Sequence, residues 1–167
     1  YTLVAVSDYV LSKTPGNTVS NLSSTRALRD VTIKHKGHYD ASSVGEVNVV
    51  EKMKATNAII GGEGNGGIIY PELHYGRDAL VGIALFLNQL AEREISVKKL
   101  RDSYPNYFIS KNKIELTSKI NVDAILSTLE QKYKSEHITT IDGLKIDFED
   151  GWVHLRKSNT EPVIRIY

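Results

Sequence analysis

Two short segments of the chain set polar side chains among glycines or arginines at spacings that could do chemistry. The first, residues 62–67, reads Gly-Glu-Gly-Asn-Gly-Gly, which places Glu63 and Asn65 in a glycine-rich loop. Glycine lets the backbone turn sharply and approach a ligand closely. A carboxylate accepts hydrogen bonds, whereas a carboxamide both donates and accepts them, so this pair can read neighbouring hydroxyl groups. The loop is therefore predicted to bind a polyhydroxylated ligand such as a sugar.

The same loop fits the pattern G-x-G-x-x-G, but its surroundings argue against nucleotide binding. A dinucleotide site requires a strand before the loop and a helix directly after it. Residues 58–60 supply the strand, yet the residues after the loop, Ile68, Ile69 and Tyr70, favour extended chain. The Gly-Lys-Ser/Thr of a P-loop is also absent. A solvated turn is the alternative, and the position at the end of a strand favours a binding crevice instead.

The second segment, residues 156–165, is typical of an anion-binding turn between two strands. Ser158 and Glu161 have the spacing of a helix capping box, but Pro162 and a β-branched run follow, so no helix is expected there. Successive backbone N–H groups in such a turn can form a nest for an anion. Guanidinium groups are suited to bidentate contact with phosphate. The residues predicted to bind phosphate are Arg156, Ser158, Asn159, Thr160 and Arg165. A polar hairpin tip flanked by surface arginines is the alternative.

Composition excludes several other classes of function. The 167 residues carry a formal net charge of +1, which is no footprint for nucleic acid or for an anionic membrane. The chain has no cysteine, so disulfide and thiolate chemistry are excluded. The longest apolar run, residues 79–87, is far shorter than the roughly 20 residues of a membrane span and is predicted to be a buried helix. No signal peptide is visible, so we expect a cytoplasmic location.

The order of predicted elements indicates two domains. Helices and short strands alternate over residues 1–103, which predicts a layered α/β domain with a largely parallel sheet. Asp78 is expected to cap the long apolar helix. Residues 104–167 form a small α+β domain: a strand over residues 107–116, an amphipathic helix that starts near Val122, and further strands separated by Asp-Gly turns. Because Tyr1 is not an initiator methionine and the chain stops within a strand, we expect a fragment of a longer protein.

Taken together, these segments resemble the α-D-phosphohexomutase superfamily, whose members have four domains. The resemblance covers nearly the whole chain and rests on four motifs. They are Val44-Gly45-Glu46 with the helix that follows, the loop at residues 62–67, Tyr75-Gly76-Arg77-Asp78 before the long helix, and Arg156-Lys-Ser-Asn-Thr-Glu-Pro162. The resemblance implies a three-layer α/β sandwich corresponding to domain 3, followed by a domain 4 with a fold like that of the TATA-box-binding protein.

The resemblance also implies a division of labour. In this family a phosphoserine donates phosphate to a sugar monophosphate, and the bisphosphorylated intermediate returns its other phosphate to the serine, with Mg²⁺ bound at the phosphoserine. Those groups belong to domains 1 and 2, so this chain is expected to hold no catalytic residue and no metal ligand and to be inactive alone. Its expected partners are those two domains and a hexose phosphate, with no nucleic acid or membrane. The implied sugar-binding residues are Glu46, Glu63, Asn65, Gly66 and Gly67.

Three departures from the family pattern bear on the substrate. Many members have serine where Asn65 stands and histidine where Gly67 stands, and some have histidine at the position of Glu46. The glycine-rich version is similar to a branch with phosphoglucosamine mutases alongside phosphomannomutase/phosphoglucomutases. A carboxylate such as Glu63 or Glu46 would favour a cationic amine, so phosphoglucosamine mutase is the first hypothesis. The alternatives are a phosphomannomutase/phosphoglucomutase, a non-catalytic sugar-phosphate-binding module, and a structural fragment with solvated loops.

Overall fold

The computed structural model describes residues 1–117, 120–158 and 160–167. The chain divides into two compact units, Tyr1–Tyr107 and Phe108–Tyr167. The first unit contains the glycine-rich loop, and the second contains the Ser-Asn-Thr turn. Each unit has its own five-stranded sheet.

The first unit alternates helices and strands as far as residue 62, as the sequence predicts, and three strands and then two helices end it. Its elements are α1 (Thr2–Lys13), β1 (Asn17–Asn21), α2 (Ala27–Lys34), β2 (Tyr39–Ser42), α3 (Glu46–Thr56), β3 (Ala58–Gly62), β4 (Ile68–Tyr70), β5 (His74–Arg77), α4 (Ala79–Arg93) and α5 (Val97–Asp102). The sheet order is β2-β1-β3-β4-β5. Apolar side chains pack on both faces of this sheet, which confirms the expected three-layer sandwich.

Two buried clusters define the layers. The larger one joins helices α1 and α2 to Ile60 and Ile68 of the sheet and extends to Leu100 and Tyr104. The smaller one packs Val49 and Met53 of α3 against the other face. Ile68 and Ile69 belong to different clusters because successive residues of a strand point to opposite faces.

The sheet is mixed, so the prediction of a largely parallel sheet is wrong for half of its pairings. Strand β1 runs parallel to both β2 and β3. Strands β3, β4 and β5 then pair antiparallel. The reason is the length of the connections: only a few residues separate these last strands, and a short hairpin loop can join antiparallel strands only.

Helix α4 begins where the sequence predicts it, and one of its faces is buried. The Asp78 side chain accepts a hydrogen bond from the Val81 N–H, so the predicted cap is confirmed. Leu80 is 78% exposed, and Ile83 and Leu87 are exposed as well. The prediction of a buried helix is therefore right for the face that packs against the larger cluster and wrong for the exposed face. Apolar composition alone does not show which faces of a helix find partners. Among the described residues, no helix is long and apolar enough to cross a membrane.

A buried carboxylate connects the helices of the larger layer. Asp8 of α1 is fully buried and accepts hydrogen bonds from Arg93 (2.7 Å) and Tyr104 (2.9 Å), and it contacts His35 Nε2 at 2.8 Å. Burial opposes ionisation, but the hydrogen bonds with His35 and Tyr104 and the charges of Lys34 and Arg93 together outweigh it and hold the pKa of Asp8 below its ordinary value. Sequence reasoning missed this cluster, whose members lie up to 96 residues apart.

The second unit is a small α+β domain, as expected. It contains β6 (Asn112–Glu115), α6 (Val122–Lys132), β7 (His137–Thr139), β8 (Leu144–Asp147), β9 (Trp152–Lys157) and β10 (Val163–Ile166). The order β6-β10-β9-β8-β7 is antiparallel throughout. Strand β6 is shorter than the predicted strand over residues 107–116. The Asn121 side chain caps α6 by accepting from the Ala124 N–H.

Candidate sugar- and phosphate-binding loops

The glycine-rich loop is a tight hairpin between β3 and β4. Its closing hydrogen bonds run from the Glu63 N–H to the Gly67 carbonyl and from the Gly66 N–H to the Glu63 carbonyl, both at 3.1 Å. Gly62 has a φ of +153°, and a Cβ added there would lie 1.9 Å from the Gly67 carbonyl oxygen. A side chain is therefore excluded at Gly62, and the glycine is required for the turn itself.

Glu63 is a fixed, buried side chain. It is 6% exposed, and its Oε1 accepts hydrogen bonds from Asn21 Nδ2 (2.9 Å) and from the Gly45 N–H (3.2 Å). Asn21 ends β1, and Gly45 lies in the turn between β2 and α3. Because β1, β2 and β3 are parallel, their carboxyl ends meet at one edge of the sheet, and Glu63 ties the three ends together.

Glu46, the other carboxylate predicted to bind sugar, is engaged by Arg77. The Arg77 N–H donates to Glu46 Oε1 at 3.0 Å, and Arg77 Nε donates to Oε2 at 2.8 Å. These backbone and side-chain hydrogen bonds hold the pKa of Glu46 below its ordinary value. Arg77 Nη1 also lies 3.7 Å from Glu63 Oε2, so one guanidinium bridges both carboxylates.

Sequence reasoning did not assign Arg77 to the site, although it singled out the Arg77-Asp78 step before α4. Arg77 and Glu46 are 31 residues apart, and no local pattern predicts their pairing. The sequence signal that could have identified Arg77 as a site residue is its position just before the helix that follows the glycine-rich loop. The structure brings Arg77, Glu46 and Glu63 together at the edge of the sheet.

Asn65 occupies the exposed tip of the loop. Its Oδ1 accepts a hydrogen bond from the Gly67 N–H at 3.0 Å, an arrangement in which an asparagine side chain stabilises its own turn. Gly66 has a φ of +93°, which favours glycine. The predicted residues Glu63, Asn65, Gly66 and Gly67 thus form one continuous loop whose tip is accessible to a ligand.

The Ser-Asn-Thr turn joins β9 to β10 as a hairpin, in agreement with the prediction that no helix starts here. The Ser158 N–H donates to the Val163 carbonyl at 2.9 Å, so this amide closes the hairpin and is not directed at an anion. Ser158 Oγ lies 3.4 Å from the Thr160 N–H and 3.5 Å from Thr160 Oγ1. Asn159 lies outside the described residues. The groups that can still donate a hydrogen bond to an anion include the hydroxyls of Ser158 and Thr160.

The two arginines predicted to bind phosphate sit side by side on the sheet. Arg156 and Arg165 are partners in the register of β9 and β10, so their side chains leave the same face. Arg156 is 5% exposed and donates from Nε to Asp142 Oδ2 at 2.9 Å. Arg165 is partly exposed and contacts Glu161 Oε2 at 2.6 Å. Each guanidinium is thus paired with a carboxylate, which offsets the repulsion between two facing cations.

A metal site is not formed by the residues that the structure describes, since they contain no group of three or more histidine, aspartate or glutamate side chains placed to hold an ion. His154 is fully buried, contacts the Asp142 carbonyl oxygen through Nε2 at 2.7 Å and stacks on Tyr167. Burial lowers the pKa of His154. This histidine holds the Asp142 turn beside Arg156 and is not positioned as a metal ligand.

Comparison with known families covers both units. Residues 1–107 match the family described as phosphoglucomutase/phosphomannomutase, alpha/beta/alpha domain III, and residues 111–167 match phosphoglucomutase/phosphomannomutase, C-terminal domain. The chain belongs to the phosphoglucomutase/phosphomannomutase family. The expected membership of the phosphohexomutase superfamily and the expected pair of folds are confirmed.

Relatives within the phosphoglucomutase/phosphomannomutase family differ in the sugar that their names give. The chain is 36% identical over 150 residues to a phosphoglucosamine/phosphogalactosamine mutase of Sulfurisphaera tokodaii, which covers 89% of this chain and 33% of that protein. It is 35% identical over 170 residues to a phosphoglucomutase/phosphomannomutase of Thermococcus kodakarensis, which covers 99% of this chain and 37% of that protein. The chain therefore spans about a third of the length of these relatives.

A solved structure contains the same two folds in the same order along the chain. The phosphoglucomutase/phosphomannomutase family protein of Burkholderia thailandensis matches with a TM-score of 0.77 and 25% sequence identity, over 99% of this chain and 36% of that chain. The two consecutive domain types of the phosphoglucomutase/phosphomannomutase family are thus present in the order that the sequence motifs predict.

Proposed function

We propose that this chain forms the sugar-binding and phosphate-binding part of a phosphohexomutase, an enzyme that interconverts hexose 6-phosphate and hexose 1-phosphate through a phosphoserine and a bisphosphorylated intermediate. The observation that carries the proposal is the position of Glu63. Its carboxylate is fixed by Asn21 and Gly45 at the junction of three strand ends, inside a loop whose glycines permit close approach of a ligand. Open α/β sheets bind ligands at this edge.

The two loops have different tasks in the proposal. Glu63, Asn65, Gly66 and Gly67 hold the sugar ring, while the turn with Ser158, Asn159 and Thr160 holds the phosphate that is not being transferred. Arg156 and Arg165 stand beside that turn and supply positive charge. Fixing a substrate relative to a reacting group lowers the barrier by several kcal/mol. The reacting group itself belongs to the N-terminal domains of the parent enzyme.

Magnesium is proposed to bind outside this chain. Members of the family use Mg²⁺ at the phosphoserine, and we propose that the N-terminal domains of the parent enzyme hold this ion. We therefore assign this chain no step that involves the metal. We expect no mutase turnover by the isolated chain, and turnover by the pure chain would contradict this assignment.

The substrate is proposed at the level of hexose phosphates. The similar relatives are divided between amino sugars and neutral sugars by their names. Our first hypothesis from the sequence, a phosphoglucosamine mutase, relied on the attraction of a cationic amine to a carboxylate such as Glu63 or Glu46. Because Arg77 donates to both oxygens of Glu46, this carboxylate is already paired, and the neutral hexose phosphates of a phosphomannomutase/phosphoglucomutase remain the alternative substrates.

An amide NMR titration tests the proposal. The ¹⁵N-labelled chain is titrated with glucose 6-phosphate, glucosamine 6-phosphate and inorganic phosphate. We expect shifts at Ser158 and Thr160 with all three ligands and shifts at residues 62–67 with the sugar phosphates only. The variant Asn65→Ala should weaken the sugar-dependent shifts, whereas the matched variant Asn88→Ala, which changes an exposed asparagine of α4, should not.

Two results would contradict the proposal. One is the absence of any sugar-dependent shift at residues 62–67 at millimolar ligand. The other is an identical response to inorganic phosphate and to glucose 6-phosphate, which would show that the glycine-rich loop does not read the sugar.

A further inference from the structure

Two side chains beside the glycine-rich loop form a chain of hydrogen bonds that ends at Glu63. The Ser24 hydroxyl donates to Asn21 Oδ1 at 2.7 Å, and Asn21 Nδ2 donates to Glu63 Oε1 at 2.9 Å. All three residues are buried. Asn21 ends β1, and the Ser24 N–H donates to the Asn21 carbonyl at 3.1 Å. This backbone turn after β1 therefore sets the position of the Ser24 hydroxyl.

The Ser24 hydroxyl determines which way the Asn21 carboxamide points. A carboxamide donates from its NH2 group and accepts through its oxygen. Because the hydroxyl donates to Oδ1, the NH2 group of Asn21 is left to face Glu63. Rotation of the amide by half a turn would place Oδ1 against the Glu63 carboxylate, where two acceptors form no hydrogen bond. Ser24 thus acts on Glu63 through Asn21.

The loop packs directly on these side chains. A Cβ added at Gly64 would lie 3.2 Å from Ser24 Oγ and 3.6 Å from Ser24 Cα. Glu63 Oε1 also accepts from the Gly45 N–H at 3.2 Å, so two donors hold this oxygen. Among the described residues, Glu63 Oε2 accepts no hydrogen bond, and Arg77 Nη1 lies 3.7 Å from it. Oε2 is therefore the acceptor of Glu63 that a sugar hydroxyl can use.

We propose that Asn21 and Ser24 are positioning residues that hold Glu63 for sugar binding. This inference rests on the proposed function of the glycine-rich loop. A free glutamate side chain samples several rotamers, and a ligand that binds it must stop this motion at a cost in free energy. Asn21 and Ser24 stop the motion before the ligand arrives, so affinity for the sugar is gained by preorganisation. Neither residue needs to contact the sugar.

The test measures the Kd for glucose 6-phosphate from the amide shifts of residues 62–67. Asn21→Leu keeps a similar side-chain volume and removes the polar atoms. We expect it to weaken binding roughly fivefold, which corresponds to about 1 kcal/mol at about 1.4 kcal/mol per tenfold change in affinity. Ser24→Ala should weaken binding less, by roughly twofold, because Asn21 still donates to Glu63 in one of its two orientations. Ser24→Thr keeps the hydroxyl and should bind like the wild type.

A double variant separates a positioning role from a purely structural one. If Ser24 acts through Asn21, the combination of Asn21→Leu and Ser24→Ala should bind no more weakly than Asn21→Leu alone. Independent effects on affinity would multiply instead. The matched control is Thr18→Val, which removes a buried hydrogen bond of the same strand, between Thr18 Oγ1 and Thr32 Oγ1 at 2.6 Å. This control should bind glucose 6-phosphate like the wild type.

The rotamer of Glu63 provides a second measurement that needs no ligand. Three-bond couplings from the backbone nitrogen and carbonyl carbon to Cγ report the χ1 angle. We expect one rotamer in the wild type and in Thr18→Val, and averaged couplings in Asn21→Leu. The shifts of Ser158 and Thr160 with inorganic phosphate should be the same in every variant, because the substitutions lie in the first unit.

Outcomes for the inference and for the proposed function are distinguishable. If the wild type binds glucose 6-phosphate and Asn21→Leu and Ser24→Ala bind it equally well, the inference is overturned and the proposed function stands. Multiplicative effects in the double variant, or a single Glu63 rotamer in Asn21→Leu, overturn the inference in the same way. If no sugar phosphate shifts residues 62–67 of the wild type, both are overturned. Should Asn21→Leu fail to fold, weaker binding by Ser24→Ala but not by Ser24→Thr supports the inference, and equal binding by both overturns it.

Discussion

Replacement of Glu63 by alanine tests most directly whether the Glu63 hydrogen bonds stabilise the glycine-rich loop and the strand ends around it. The substitution removes the acceptor for two donors, Asn21 Nδ2 and the Gly45 N–H. Asn21 is buried, and Gly45 is partly exposed. Glu63→Gln is the informative companion, because glutamine keeps an oxygen at the position of Oε1 while it removes the negative charge and replaces Oε2 with an NH2 group.

The magnitude follows from the number of donors left without a partner. A buried polar group that loses its hydrogen bond costs about 1–3 kcal/mol. Asn21 is expected to lose this full amount, whereas water can reach Gly45 and reduce its loss. For Glu63→Ala we therefore expect a destabilisation of about 2–4 kcal/mol, and for Glu63→Gln less than about 1 kcal/mol. The contact with Arg77 adds little, because that side chain is well solvated.

Urea unfolding provides the measurement. The intensities of amide resonances from α1 and β1 report the first unit, and the fluorescence of Trp152, the single tryptophan of the chain, reports the second unit as an internal control. The matched control variant is Glu51→Ala, which changes an exposed glutamate of α3. The reasoning is refuted if Glu63→Ala costs less than about 0.5 kcal/mol, or if the alanine and glutamine variants are equally unstable.

Two further predictions concern the same unit. Gly67→Ala should displace Arg77, because the added Cβ would lie 2.7 Å from Arg77 Cδ, and the pKa of Glu46 should then rise toward its ordinary value in a carbon-detected NMR titration. The free energy of unfolding should also decrease as the pH falls below about 4. The pKa of Asp8 is lowered in the folded state, so its contribution is present above the pKa of the unfolded chain and is lost as the pH falls through the folded pKa. Asp8→Asn should remove this part of the pH dependence in thermal unfolding experiments between about pH 2 and 7.

Each of these two predictions has a result that would contradict it. An unchanged pKa of Glu46 in Gly67→Ala would show that the position of the Arg77 side chain does not depend on the absence of a side chain at Gly67. The same slope of stability against pH in the wild type and in Asp8→Asn would show that other carboxylates carry the acid sensitivity of the first unit.

Most elements of the fold could be predicted from the sequence, because their signals are local. The Thr-Pro-Gly step ends α1, Asp78 caps α4, and the Asp-Gly pairs mark the turns of the second sheet. The glycine-rich loop was also predictable, since only glycine adopts the backbone of Gly62 and Gly66 readily. In each case a few neighbouring residues contain the physical cause.

The wrong predictions concern which face of a helix is buried and in which direction neighbouring strands run. In α3, Val47 is exposed and Val49 is buried, although both are apolar. Helix α4 was expected to be buried and exposes Leu80. Both helices have apolar residues on more than one side, so the sequence pattern does not show which side meets the sheet. The mixed sheet was missed because β5 contains His74 and Gly76 and has no strand-like pattern.

The sequence by itself determined the types of the elements, the two glycine- and serine-containing loops, and the resemblance to the phosphohexomutases, because these depend on short-range backbone preferences and contiguous motifs. Only the tertiary structure decided the roles within the loops. The buried Glu63 side chain accepts hydrogen bonds that connect the ends of three strands. Glu46 pairs with Arg77, which is 31 residues away. Hydrogen bonds and ion pairs depend on distances across the fold, and a linear pattern holds no information on those distances until the chain has packed.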